Sequence, residues 1–94
     1  MIVWPASGEA FTGPAFVAVN EAYPEGWKIT IVDVLEQDDR VAARFRVDHD
    51  DNVFWCAGFY TVDGGRIIEG VEHWLTENSE APPAWRAGFN AAGQ

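Results

Sequence analysis

Four alternating segments separated by very short polar breaks occupy the middle of this chain. They cover residues 27–36, 40–49, 53–62 and 66–77. The three breaks consist only of Gln, Asp, Asn and Gly. Alternation of apolar and polar side chains is typical of β-strands, and connections this short join only antiparallel neighbours. The sequence therefore predicts a four-stranded antiparallel meander, which limits how the rest of the chain can fold.

The residues before the meander predict a short hairpin and one helix. Residues 1–4 and 9–12 are short β-rich segments around a turn at 5–8. Pro14 suits the first turn of a helix over about residues 14–22, because its missing N–H is not needed there. Pro24 then ends this helix. The expected fold class is α+β, in one domain over residues 1–94 with an irregular C-terminal tail at 78–94.

Composition excludes several classes of function. The net charge is −9 with only six Lys and Arg residues, whereas binding nucleic acid requires clusters of cations. No apolar run approaches the ~20 residues that span a bilayer, and no leader peptide is evident at Met1. The single cysteine, Cys56, excludes an internal disulfide and a Cys-rich zinc site. We expect a cytoplasmic protein that binds neither nucleic acid nor membranes.

The last hairpin predicts which side chains share a face with Glu72. If residues 64 and 65 form a two-residue turn, counting outward places Ala57 opposite Glu72 and Trp55 opposite Trp74. Directly opposed residues share a face of the sheet, and Phe59 joins this face by alternation. The expected face is therefore apolar around one carboxylate.

A three-residue turn at 50–52 would add the apolar row of the preceding strand to the same face. Phe45 lies within this row, and His49 lies at its end. The opposite face of the last two strands, on which Tyr60 is expected to face outward, is also apolar. Because a small sheet with two apolar faces needs cover, we expect a homodimer or higher homo-oligomer through these faces.

Glu72 and His49 are the candidate catalytic residues. Glu72 could act as a general base beside Trp55 and Trp74; alternatively, it is a solvated carboxylate or pairs with Arg86. His49 could shuttle protons, or it is simply half exposed at a strand end. The candidate substrate-binding residues, which could equally be core packing, are Trp74, Trp55, Phe59, Phe45 and Trp4.

No metal or cofactor is expected. Residues 48–52 imitate the start of a calcium-binding loop, but Val53 replaces the turn glycine and Phe59 replaces the final glutamate. A Cys56–His73 dyad is conceivable, although a small buried thiol is the usual case. Fingerprints of phosphate loops and dinucleotide sites are absent from the sequence.

Three motifs together resemble a known family. They are Trp-Pro-x-x-Gly-Glu-x-x-x-Gly at residues 4–13, Tyr-Pro at the end of the helix, and Asp-Gly-Gly-Arg-Ile-Ile-Glu followed by His-Trp at 63–74. The chain resembles the nuclear transport factor 2-like superfamily, in its branch of SnoaL-like polyketide cyclases and ketosteroid isomerase-like proteins. The resemblance implies a cone, in which a strongly curved, mostly antiparallel sheet packs on helices around a pocket. The resemblance also implies dimers that form through the convex face.

The resemblance implies a role for Glu72. In the isomerases an Asp base occupies the position of Trp4, and an acidic oxyanion donor occupies that of Ala57, so steroid isomerase chemistry is not expected. In the cyclases an Asp base on the last strand matches Glu72. Two helices usually precede the first strand in this family, whereas Met1 lies almost at that strand here. We therefore expect a partner subunit to cover the concave face.

Two functions follow from these observations. The first is a small-molecule pocket with cofactor-free proton abstraction, isomerisation, cyclisation or hydration of an apolar oxygenated substrate, with Glu72 as the base. The second is a non-catalytic ligand-binding or dimerisation module with the same fold.

Overall fold

A computed structural model describes residues 1–23 and 26–92. Short N-terminal strands β1 (Ile2–Trp4) and β2 (Glu9–Phe11) precede helix α1 (Gly13–Ala22). Four long strands follow: β3 (Lys28–Gln37), β4 (Arg40–His49), β5 (Asn52–Asp63) and β6 (Arg66–Thr76). A 3-10 helix occupies Ala84–Phe89. Thr12 caps α1 by accepting from the Ala15 amide, whereas the predicted stop at Pro24 lies outside the described residues.

The six strands form one curved mixed sheet in the order β2-β1-β6-β5-β4-β3. Strand β1 runs parallel to β6, and every other pair is antiparallel. The predicted α+β architecture, with a meander of four long strands, an N-terminal hairpin and one short helix, is confirmed. We call the face that carries Glu72 the concave face and the opposite face the convex face.

The predicted register of the last hairpin is wrong by one residue. Gly64 and Gly65 do form the two-residue turn, both with positive φ, and Asp63 pairs with Arg66. Beyond them, however, Val62 pairs with Ile67, while Thr61, the next residue away from the turn, pairs with Glu69. Strand β6 therefore contains a bulge. Because side chains alternate with a period of two, one extra residue exchanges the faces beyond it.

The bulge places Gly58, not Ala57, opposite Glu72, and Cys56, not Trp55, opposite Trp74. Trp55 and Phe59 therefore lie on the convex face, away from Glu72, and their predicted place beside it is wrong. The possible Cys56–His73 dyad is also excluded, because His73 pairs with Ala57 on the convex face.

The turn between β4 and β5 is also shorter than predicted. His49 pairs with Asn52, which leaves Asp50 and Asp51 as a two-residue turn, and Asp50 adopts a positive φ of 52°. The apolar row of β4 consequently continues onto Phe54 and Cys56, not onto the row of Trp55.

The core of the described chain is small. Its buried apolar side chains are Ile2, Val47, Cys56 and Tyr60. The chain exposes 7289 Å², whereas a folded monomer of its mass exposes about 5,400 Å². Its radius of gyration is 16.0 Å, against about 12.4 Å for a compact domain of this length. Strand β3 is exposed along its whole length, and its isoleucine, valine and leucine side chains contribute to this surface.

Candidate functional site

Glu72 is the one buried charged side chain among the described residues, and it is only 6% exposed. Its two carboxylate oxygens accept hydrogen bonds from two different strands. The Trp4 indole nitrogen donates to Oε1 at 2.9 Å, and the Tyr60 hydroxyl donates to Oε2 at 2.6 Å. Buried carboxylates are stable only when such donors replace water. Glu72 therefore ties β1 and β5 to β6.

Two glycines make room for the Tyr60 ring. A Cβ at Gly58 would collide with the Tyr60 hydroxyl and ring. A Cβ at Gly70 would lie 2.8 Å from the same ring and 2.6 Å from Cδ1 of Ile2. Gly58 is opposite Glu72 and Gly70 is opposite Tyr60. The ring therefore lies against the bare backbone of both strands on its way to Glu72. Glycine inside a strand often marks such a close approach.

The surroundings of Glu72 favour the protonated forms of its neighbours. Burial, followed by the hydrogen bond to Glu72 and its negative charge, raises the pKa of Tyr60 well above its ordinary value. Burial and the charge of Glu72 also raise the pKa of the Cys56 thiol to about 12. At neutral pH Tyr60 is therefore a hydrogen-bond donor, and Cys56 is an inert thiol.

A cleft of about 530 Å³ lies between α1 and the concave face. Its wall is mainly aromatic and includes Trp4, Tyr23, Trp27, Phe54 and Trp74. The aliphatic side chains in the wall are Ala6, Ile29 and Val47, and the polar ones are Ser7, Glu9 and Asn20. Apolar clefts of this size with a few polar groups are typical sites for small molecules.

Trp4 connects this cleft to Glu72. Its ring packs edge-on against Phe11 at 4.7 Å between centroids, against Phe16 at 6.3 Å and against Trp74 at 6.4 Å. The hydrogen bond to Glu72 fixes the direction of the indole within this group. Glu72 is behind Trp4 and is not part of the cleft wall.

Two of the predicted substrate-binding residues, Trp4 and Trp74, line the cleft. Phe45 lies on the concave face opposite Cys56, but outside the cleft wall. His49 stacks on Trp27 at 4.3 Å between ring centroids, and its Nδ1 is 3.7 Å from an Asp50 carboxylate oxygen. The structure does not bring His49 to Glu72.

Sequence reasoning missed Tyr60, which was expected to face outward, and the cleft residues Trp27 and Phe54. The bulge in β6 caused the error at Tyr60. The turn after β4 is shorter than predicted, and for this reason Phe54 was not expected beside the apolar row of β4. The signal for Tyr60 was nevertheless present: two strand glycines, Gly58 and Gly70, lie beside it on the same two strands.

The described part of the chain contains no cluster of three or more His, Cys, Asp or Glu side chains that could hold a metal ion. Nor does it include a helix long and apolar enough to cross a membrane.

Comparison with known proteins identifies the fold. A structure from Kribbella flavida DSM 17836, provisionally named a ketosteroid isomerase, is 23% identical in sequence to this chain and superposes with a TM-score of 0.81. The match covers 95% of this chain and 65% of the Kribbella chain. An NTF-2-like protein of unknown function from Burkholderia xenovorans LB400 is 13% identical with a TM-score of 0.71, covering 95% and 70%. This chain thus spans about two thirds of the length of each. No curated protein matched the sequence.

The family itself follows from the sequence match. The model of the SnoaL-like domain matches residues 2–70, which include both N-terminal strands, the helix and most of the meander. This chain therefore belongs to the SnoaL-like domain family, with the fold of the nuclear transport factor 2-like superfamily.

Proposed function

We propose that this protein binds a small, mostly apolar, oxygen-bearing molecule in the cleft between α1 and the concave face. The observation that carries this proposal is the aromatic wall, one member of which, Trp4, is held in place by a buried carboxylate. A buried charged group that only filled the core would be costly, and an apolar residue would serve there as well. Holding a cleft wall in one orientation is a reason to retain it.

The charge of the cleft disfavours an anionic ligand, and its largely apolar wall suits a neutral one. Glu9 is the one charged side chain among the described wall residues, and the chain carries a net charge of −9. An anionic ligand would find no cation in the wall to pair with. The oxygens of a neutral ligand can instead accept from the polar groups that interrupt the apolar surface.

Two equally exposed side chains, Ile29 and Leu75, allow a test of binding in the cleft with a matched control. Ile29 lies in the cleft wall and is 65% exposed, while Leu75 lies on the convex face and is 64% exposed. Ile29→Trp should fill the cleft with little strain, because its side chain can extend into open space. Leu75→Trp adds the same bulk elsewhere.

Isothermal titration with 1-tetralone, a neutral bicyclic ketone, gives the readout. The proposal expects binding by the unchanged protein and by Leu75→Trp, and at least tenfold weaker binding by Ile29→Trp. Equal affinity in all three proteins, or no binding by any of them, would refute the cleft as the ligand site.

Proton abstraction is a second candidate, because Glu72 is a buried carboxylate in direct contact with the cleft residue Trp4. In this reaction Glu72 takes a proton from the carbon beside a carbonyl. The C–H electron pair forms the new C=C bond, and the C=O π pair moves onto the oxygen to give an enolate. Trp4 would first have to release Oε1. Deuterium incorporation at C2 of 1-tetralone in heavy water tests it, since Glu72→Gln should abolish the incorporation if Glu72 is the base.

We also propose that a second copy of the chain covers part of the exposed apolar surface. The excess of about 1,900 Å² over a compact monomer is more than the ~800 Å² that each partner buries in a standard interface. Sedimentation equilibrium of the full chain tests this proposal, and a well-folded monomer at micromolar concentration would contradict it.

A further inference from the structure

Two buried indole N–H groups in the cleft wall lack a hydrogen-bond partner. Among the described residues, the Nε1 atoms of Trp27 and Trp74 are buried and unpaired. Trp4 and Trp55, in contrast, donate to Glu72 and Glu77. Both of the unpaired indoles line the cleft. Buried donors in folded proteins are nearly always satisfied, so an unsatisfied pair at one site calls for a functional explanation.

The two indoles belong to different groups of rings. Trp27 packs with Tyr23, His49 and Phe54, whereas Trp74 packs with Trp4. Their backbones are also far apart in the sheet. Trp27 directly precedes β3, and Trp74 lies on β6, three strand spacings or about 14 Å away across the sheet. Two separate acceptors therefore suit them better than one.

We propose that Trp27 and Trp74 are the polar anchors of the cleft and that its ligand is a neutral, apolar skeleton with an acceptor oxygen toward each end. This inference rests on the proposed function and adds the ligand class. Ketone, ester and ether oxygens fit, because an indole N–H can only donate. Carboxylates and phosphates do not fit, because the described wall holds no cation.

The anchors act after a small movement. Their nitrogens are shielded from water in the structure, while their rings line the cleft. A ligand oxygen therefore reaches each nitrogen only when the indole turns toward the cleft. Binding should consequently change the environment of these two N–H groups and leave the indoles outside the cleft wall, Trp55 and Trp85, unaffected.

Three bicycles of nearly equal size provide the test. Tetralin has no acceptor, 1-tetralone has one, and 6-methoxy-1-tetralone has one at each end. The full chain is labelled with ¹⁵N-tryptophan, and the indole signals are assigned with Trp27→Phe and Trp74→Phe. We expect 6-methoxy-1-tetralone to move both of these N–H signals downfield, with no change at Trp55 or Trp85.

Affinities measured by calorimetry complete the test. Each added acceptor should tighten binding about tenfold, as expected for one hydrogen bond. Each Phe variant should lose about tenfold for the two-acceptor bicycle, but not for tetralin; Trp55→Phe, on the convex face, should lose nothing. Equal affinity for all three bicycles, or binding without movement of the two signals, would overturn the anchors and leave the cleft as a binding site. Failure of every bicycle to bind would overturn both proposals.

Discussion

Tyr60 reaches across the backbone of a neighbouring strand to donate a 2.6 Å hydrogen bond to Glu72, and both side chains are more than nine-tenths buried. The contact joins the centre of β5 to the centre of β6. It exists because Gly58 and Gly70 leave the surface beneath the Tyr60 ring empty. The Glu72 carboxylate in turn orients Trp4, which lines the cleft.

Removing the Tyr60 hydroxyl should destabilise the fold. Tyr60→Phe leaves Oε2 of Glu72 buried without its donor, and the free energy of unfolding should fall by about 1–3 kcal/mol. Urea denaturation measures the change. Tyr23→Phe is the control, because Tyr23 is 45% exposed, and it should change stability by less than ~0.5 kcal/mol. Equal effects of the two variants would show that the contact does not stabilise the protein.

A methyl group on either strand glycine should displace the Tyr60 ring, and at Gly70 it should also displace the Ile2 side chain. Gly58→Ala and Gly70→Ala should each lower the free energy of unfolding by about 1–3 kcal/mol, as overpacking does. Gly88→Ala is the matched control, since a Cβ at Gly88 would meet nothing within 4 Å. If all three variants are equally stable, the Tyr60 ring does not occupy this position in solution.

Alkaline pH should destabilise the protein through Cys56. Its pKa is raised from 9.0 to about 12 in the folded chain, so the unfolded chain loses its proton first. Stability from this group is complete below about pH 9 and declines as pH rises toward 12. Between about pH 8 and pH 10.5 the loss should be of the order of 1–2 kcal/mol.

Denaturant unfolding at several pH values checks this prediction. Cys56→Ala should show a smaller decline, while the remaining decline above about pH 10 reflects Tyr60, whose pKa is also raised. A thiol that reacts rapidly with iodoacetamide at about pH 8 would contradict the buried, protonated state of Cys56.

At position 72, substitution by glutamine should destabilise the protein less than substitution by alanine. In Glu72→Gln the side-chain oxygen can still accept from Trp4, and its NH₂ group can donate to the Tyr60 oxygen. Glu72→Ala leaves both donors unpaired beside a cavity and should cost about 2–4 kcal/mol more than the amide. The same order is expected for affinity toward 1-tetralone, because Trp4 loses its orientation only in the alanine variant. Equal stability and affinity of the two variants would exclude a positioning role for Glu72.

The strands, the helix and the tight Gly64–Gly65 turn could be predicted from the sequence because each depends on local patterns. Alternation, a proline in the first turn of the helix and two adjacent glycines are sufficient for them. The resemblance to the family added the curvature of the sheet, whereas the catalytic role that it implies for Glu72 stays a prediction.

The composition of the site could not be predicted, because it depends on register. A single bulged residue in β6 moves Trp55 and Phe59 to the convex face and brings Tyr60 to Glu72. Alternation is equally well satisfied before and after such a shift, since both faces of β5 carry apolar side chains. Only the strand glycines at 58 and 70 distinguish the two registers, through the ring that needs their space.

The most direct test of ligand binding in the cleft is to find where on the sheet a bound molecule lies. Nuclear Overhauser contacts between 1-tetralone and side chains of the protein report which face the ligand touches. We expect contacts to the Val47 methyl groups and the rings of Phe54 and Trp74, all in the cleft wall. Contacts to Leu75 and Phe59 on the convex face, or no contacts at saturating ligand, would contradict it.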